Sequence, residues 1–120
     1  MTRAIDAGPG LWANAVPPVE TVVRLALGEV PRADDGRWLT RTLAREVLAG
    51  LLRAWGDVGI LGALGRISGL SLEDLLILEG LSGADGALRG AVARVQDLPA
   101  VHAAQVWGEV QRGVAVLLAA

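Results

Sequence analysis

The chain has 120 residues, 52% of them hydrophobic, and a formal net charge of −2. This length fits one domain with a single modest core, and the slightly acidic balance gives no overall attraction to nucleic acid or anionic lipid. The absence of cysteine excludes disulfides, cysteine-ligated zinc and thiol catalysis. Because the apolar fraction is high for a small domain, we expect apolar surface to be left over for a partner.

Residue usage and the lack of long apolar runs set the expected location. The chain contains no Lys, Phe or Tyr, while Arg, Gly, Ala and Leu abound, which is typical of a GC-rich coding sequence. No apolar run has the length of a signal peptide or approaches the ~20 residues of a membrane-spanning helix. We therefore expect a cytoplasmic protein.

Helical periodicity dominates the chain, and no segment predicts a strand. Residues 1–18 end in a proline pair and are expected to be irregular, whereas residues 19–120 are expected to form a single helical domain. In chain order, the predicted helices span about 19–30, 37–55, 56–67, 72–81, 84–95 and 99–120. Their short connections predict an all-α fold, a compact orthogonal bundle of about five to six helices.

The helix predicted over residues 37–55 carries the clearest pattern. Its apolar residues recur at three- and four-residue steps and so share one face: Leu39, Leu43, Val47, Leu48, Leu51, Leu52 and Trp55. Arg37, Arg41 and Arg45 recur at four-residue steps on another side, with Arg53 further round. This row is either a solvated, ion-paired face or a contact for phosphates or an acidic surface. Gly50 costs about 1 kcal/mol relative to alanine, so it is expected to mark a close helix crossing.

Glycine and serine punctuate the shorter helices. Gly59, Gly62 and Gly65 recur at three-residue steps, which predicts a helix face without side chains that permits tight backbone approach. Ser71 and Asp74 have the spacing of a helix N-cap and its reciprocal partner. A new helix is therefore expected to begin directly after Ser71.

Two helices carry more apolar side chains than one core face requires. The segment from residue 72 to 81 is apolar nearly all round, and the last helix has an apolar stripe and closes in "VAVLLAA". Such helices are buried centrally or shared with a partner. We predict a self-association interface formed by Leu72, Leu75, Leu76, Leu78, Val110, Val114, Leu117 and Leu118.

The stretch "LGRISGLSLEDLLILEG" has the punctuation of two helices joined by a turn. It resembles the helix-turn-helix of lambda-repressor-like proteins at Leu64, Gly65, Gly69, Leu70, Ser71, Leu75 and Glu79. The resemblance implies that Gly65 lies where the two helices touch, that Gly69 makes the turn, and that the helix opened by Ser71 enters the DNA major groove. That helix departs from the family pattern, because it carries acids and lacks the Arg, Lys, Gln or Asn that contact bases and phosphates.

Catalytic and metal-binding side chains are scarce. His102 is the only histidine, so one chain cannot form a two-histidine metal site, and no acid is spaced with His102 as in a nucleophilic triad. A structural or surface role is the simpler interpretation of this residue. No phosphate-binding loop or dinucleotide fingerprint is present in the sequence. We therefore predict a non-enzymatic protein without a cofactor or a metal.

Two functions of different classes remain. The preferred one is a helical protein–protein interaction or assembly subunit, a homo-oligomer or part of a larger complex, since most soluble oligomers are homo-oligomers. The alternative is a nucleic-acid-binding regulator that uses the turn motif and the arginine row, with affinity that falls steeply as salt rises. A pocket for an apolar ligand, lined by Trp and Leu, is a third hypothesis.

Overall fold

The computed structural model describes residues 18–29, 32, 37–55, 59–76 and 86–119. Within these ranges the chain forms helices and no strand. In chain order the helices are α1 Val19–Leu27, α2 Trp38–Ala54, α3 Gly59–Ser68, α4 Leu72–Leu76, α5 Gly86–Gln96 and α6 Ala100–Ala119. The predicted all-α bundle of five to six helices is confirmed. The predicted irregular segment, apart from Pro18, lies outside the described residues.

Helix α2 lies at the centre of the bundle, in contact with α1, α3, α5 and α6. Its buried residues recur at helical spacing, as predicted: Leu43, Ala44, Val47, Leu48, Gly50, Leu51 and Leu52. Leu39 belongs to the same predicted face but is 49% exposed. Burial of this face removes apolar surface from water, which is the main force that holds the four neighbours on α2.

Two glycines allow helices to approach closely. A Cβ at Gly50 would lie 2.8 Å from both Cβ and Cδ1 of Leu88, so a side chain does not fit where α2 crosses α5. A Cβ at Gly113 would lie 2.7 Å from Leu27 Cδ2 and 3.0 Å from the Ala26 carbonyl oxygen, where α6 crosses α1. The predicted close crossing at Gly50 is confirmed, and Gly113 marks a second one.

The predicted glycine face of α3 does not pack against any of the described helices. Gly59, Gly62 and Gly65 are all exposed, and a Cβ added at Gly59 or Gly65 meets no described atom within 4 Å. Helix α3 packs instead through its larger apolar side chains: Ile60, Ala63, Leu64 and Ile67. The prediction was wrong because burial of those side chains stabilises the fold more than close approach of bare backbone, and this turns the glycines toward solvent.

The start of α4 is capped by side chains. The Ser71 hydroxyl accepts a hydrogen bond from the Asp74 N–H at 3.1 Å, and the Ser71 N–H donates to the Asp74 carboxylate at 3.5 Å. This reciprocal arrangement satisfies backbone donors that a helix N-terminus leaves without partners. The predicted cap at Ser71 is confirmed.

Two side chains of helix α6 bind the backbone between the end of α3 and the start of α4. Trp107 Nε1 donates to the Leu70 carbonyl oxygen at 3.2 Å, and Gln111 Nε2 donates to the Ile67 carbonyl oxygen at 2.6 Å. Carbonyl groups at a helix C-terminus have no partner within the helix. Two side chains of α6 therefore satisfy the backbone where α3 ends and the chain turns into α4.

The close crossing at Gly50 leads to a stability prediction. We expect Gly50→Ala to lower the free energy of unfolding by about 1 kcal/mol or more, because overpacking against Leu88 exceeds the gain of about 1 kcal/mol in helix propensity. Gly90→Ala is the matched control, at an exposed position of α5 where an added Cβ meets no described atom within 4 Å. It should raise the free energy of unfolding by about 0.5–1 kcal/mol. Urea denaturation followed by circular dichroism measures both, and equal effects would contradict the close crossing.

Candidate interaction surfaces

Half of the predicted self-association interface lies in the chain's own core. Four of its side chains are almost fully buried, which corrects their assignment: Leu75 at 1% exposure, Val110 at 0%, Val114 at 0% and Leu117 at 4%. Leu72 and Leu76 are half-buried and pack against the core, Leu118 is 40% exposed, and Leu78 lies outside the described residues. Packing within one chain has already removed most of this apolar surface from water.

The opposite side of α6 is apolar and faces solvent. Val101 is 65% exposed and Val116 is 51% exposed. The only charged residues in this 20-residue helix are Glu109 and Arg112, which pair with each other at 2.5 Å. We define the outer face of α6 as Val101, Ala104, Gln105, Gly108, Arg112, Ala115 and Val116, all of which are exposed.

These residues form a continuous stripe. Val101, Gln105, Gly108, Arg112 and Val116 follow one another at three- and four-residue steps, so they point in the same direction from the helix. The two valines are separated by 15 residues, which corresponds to about 22 Å along the helix axis. Scattered exposed apolar residues are normal on a soluble protein, but an organised apolar surface is typical of an interaction site.

Gly108 lies near the middle of this stripe, in a groove that Arg37 and Thr40 also line, and packing within the described part of the chain does not require a glycine there. A Cβ added there meets no described atom within 4 Å. A glycine inside a helix costs about 1 kcal/mol relative to alanine. The position therefore favours close approach by something that packs on the outer face of α6.

The fold divides the predicted arginine row. Arg45 and Arg53 line a groove beside α1 and α5, whereas Arg37 lies beside α6, near Gln105 and Arg112. Arg41 is half-buried and lines neither groove. Each four-residue step along a helix turns about 40° past a full circle. Arg37 and Arg53 are separated by four such steps, so their directions differ by about 160° around the helix axis. The row therefore does not form one basic face, and the interpretation of these four arginines as a single contact is corrected.

The groove that contains Arg45 and Arg53 runs along α2 and has a volume of about 310 Å³. Its other residues come from three helices: Glu20 and Val23 from α1, Glu46 and Ala49 from α2, and Ala87 and Arg94 from α5. We call it the α1–α2–α5 groove.

Contacts across the groove fix the helix directions. On one side, Arg53 Nη2 reaches Glu20 Oε2 at 3.3 Å, and the Arg45 guanidinium donates to the Gly28 carbonyl oxygen. The start of α1 therefore lies beside the end of α2, and the two helices are antiparallel.

On the other side, Arg94 Nη2 reaches Glu46 Oε2 at 2.5 Å, while Leu88 lies against Gly50. Helix α5 is therefore antiparallel to α2 as well. The groove thus lies between two helices that run in the same direction, over the surface of a third.

Electrostatics distinguish Arg45 from the other groove arginines. Burial lowers the pKa of Arg45 from its usual value. The nearby charge of Glu29 raises this pKa and that of Arg24 lowers it. The arginine nevertheless stays charged at neutral pH. Arg53 and Arg94 each have a carboxylate partner. Among the described residues, no carboxylate oxygen lies within 4.0 Å of the Arg45 guanidinium.

The remaining candidate chemistry is dispersed. His102 is exposed on α6, and the described part of the chain brings together no cluster of three side chains that could ligate a metal. No described helix combines the length and apolar character needed to cross a membrane. Gly65 is exposed rather than packed, and Glu79 lies outside the described ranges, so the helix-turn-helix resemblance stays a prediction.

Comparison with known proteins adds no function. No protein-family model matches the chain, and neither the curated proteins nor the solved structures compared with it give a match. A function therefore has to be inferred from the outer face of α6 and the α1–α2–α5 groove.

The ion pair between α1 and α2 leads to a pH prediction. A backbone hydrogen bond and the Arg53 guanidinium lower the pKa of Glu20 below 4.5. Ionised Glu20 therefore stabilises the fold above pH 4.5, and this stabilisation is lost as the pH falls through the lower, folded-state pKa. We expect Glu20→Gln to reduce the loss of unfolding free energy between about pH 6 and about pH 3.

Urea denaturation of the parent and Glu20→Gln at both pH values measures this difference. The effect should be small, because the paired side chains are 44% and 71% exposed. Added salt should reduce it further. An identical pH dependence of the two proteins at low salt would contradict the role of this pair.

Proposed function

We propose that the protein is a non-enzymatic helical assembly subunit that self-associates through the outer face of α6. The observation that carries this proposal is the stripe with Val101 65% exposed and Val116 51% exposed at its ends. Burial of exposed apolar surface is the dominant favourable contribution to most protein association. A second copy of the same chain is the simplest partner, because most soluble oligomers are symmetric homo-oligomers.

The stripe is complementary to itself in an antiparallel pairing. A two-fold axis that passes between Gly108 and Glu109 places Val101 of one copy opposite Val116 of the other. The same axis places Gln105 opposite Arg112, so that an amide oxygen can accept from a guanidinium. Gly108, at the crossing point, lets the two helix axes approach to about 8 Å, the short end of the usual interaxial range.

The alternative, nucleic acid binding, has less support. Arg53 is already paired with the Glu20 carboxylate within the chain. The arginine side chains are also distributed around α2, so that they do not follow a single phosphate backbone. Self-association is therefore the function that the described surfaces favour.

The proposal predicts the mass of the protein in solution. Light scattering behind a sizing column, at tens of micromolar, should give a dimer or a larger closed species. Val116→Arg should shift the protein toward the monomer, because the substitution places two charges near apolar partners in each interface. A strict monomer at this concentration would overturn the proposal.

Leu25→Arg is the matched control. Leu25 is 53% exposed on α1 and is not one of the residues of the outer face of α6, so the same substitution there should leave the mass unchanged. Both positions are exposed, and both variants should keep the circular dichroism of the parent. Leu75→Glu or Leu117→Glu would not be informative, because these buried positions would place a charge in the core.

A further inference from the structure

The α1–α2–α5 groove combines an apolar floor with Arg45, whose guanidinium has no carboxylate oxygen within 4.0 Å in the described part of the chain. Val23 and Ala49 come from facing sides of α1 and α2, and Ala87 completes the floor from α5. Arg45 lies at the end of the groove near Gly28. Among the described residues, its guanidinium forms one hydrogen bond, to the Gly28 carbonyl oxygen. A guanidinium has five N–H donors, so most of its donor capacity stays available.

The charges around the groove favour an anion at the Arg45 end. The pairs Arg53–Glu20 and Arg94–Glu46 are each neutral overall. Counted over the described lining residues, three arginines and two glutamates give a net charge of one positive unit. Beyond the lining, the charges of Glu29 and Arg24 act on Arg45 in opposite directions. The partial burial of Arg45 strengthens the interaction with an incoming anion, because the effective dielectric constant there is lower than that of water.

We propose that the α1–α2–α5 groove binds a small aliphatic carboxylate. The carboxylate accepts hydrogen bonds from Arg45, whose planar guanidinium matches the two oxygens of a carboxyl group. The aliphatic chain covers Val23, Ala49 and Ala87 and points toward the Arg53–Glu20 pair. From Arg45 to Arg53 the groove follows eight residues of α2, about 12 Å along the axis, which suits a medium-chain acid.

The size of the groove selects a small molecule over a peptide helix. Its volume of about 310 Å³ lies at the lower end of the roughly 300–1,000 Å³ of small-molecule sites. A helix with side chains is about 10–12 Å wide and needs a wider and longer groove. None of the groove residues belongs to α6, so this inference does not depend on self-association through the outer face of that helix.

Octanoate is the probe, added to the ¹⁵N-labelled full chain below its micelle-forming concentration and followed by amide chemical shifts. The proposal expects saturable shifts centred on Val23, Ala49 and Ala87. Acetate tests the head group alone, and octanol tests the chain alone. Both should bind at least about tenfold more weakly than octanoate, because each lacks one of the two contributions.

Two variants and one control locate the site. Arg45→Met keeps the apolar stem but removes the guanidinium, and should raise the dissociation constant of octanoate about tenfold or more. Ala87→Leu fills the floor from an exposed position and should weaken binding without changing the charge. Arg41→Met lies one turn earlier on α2 and does not line the groove, so binding should be unchanged.

Three results would overturn the proposal. The first is the absence of saturable shifts at millimolar octanoate. The second is binding that neither Arg45→Met nor Ala87→Leu weakens, since the octanoate would then lie elsewhere. The third is octanol binding as tight as octanoate, which would mean an apolar site that does not use Arg45. If Arg45→Met does not fold, Ala87→Leu and the octanol comparison decide the question.

Discussion

The close approach of α5 to α2 at Gly50 constrains the rest of the bundle. A 17-residue helix has to accommodate four neighbours, and each neighbour can occupy only part of its circumference. Because no side chain separates Leu88 from Gly50, α5 lies deep against α2. Helix α1 packs on another part of the same surface, and small side chains at Ala49 and Ala87 leave the space between α1 and α5 unfilled. The α1–α2–α5 groove is thus the space that remains between α1 and α5 over the surface of α2.

Ion pairs and the core have different roles in this arrangement. Exposed ion pairs contribute little to the free energy of unfolding, whereas buried apolar side chains contribute most of it. Among the described residues, the buried side chains are apolar and no charged group is buried. The pairs of Glu20 with Arg53 and of Glu46 with Arg94 therefore chiefly set the charge at the groove. By neutralising two of its arginines they leave Arg45 as the side chain that determines what the groove attracts.

The sequence was most informative about features that depend on residues of a single helix. The apolar face of α2 and the cap at Ser71 follow from spacing within a few residues, and both were predicted. The groove brings together Glu20 with Arg53, 33 residues apart, and Glu46 with Arg94, 48 residues apart. Nothing local indicates such pairings.

The errors have a shared physical origin. Periodicity shows which residues of a helix lie on one face, but not which neighbour covers that face. The glycines of α3, and Leu75 and Leu117 of the predicted interface, were assigned to the wrong surroundings for this reason. The outer face of α6 was missed although its spacing from Val101 to Val116 is visible in the sequence. That stripe became recognisable once Val110 and Val114 on the other side were known to be buried.

The hydrogen bond from Trp107 to Leu70 gives the chain an internal optical reporter. Trp107 is 7% exposed and lies on the core side of α6, whereas Trp38 is 39% exposed, and Trp55 lies beneath the Arg66 guanidinium at 5.8 Å. Indole emission moves to longer wavelength when the ring meets water. Separation of two copies at the outer face of α6 would leave the surroundings of Trp107 intact, but loss of contact between α6 and the turn after α3 would expose it. The part of the emission that comes from Trp107 thus reports loss of this contact rather than dissociation of the two copies.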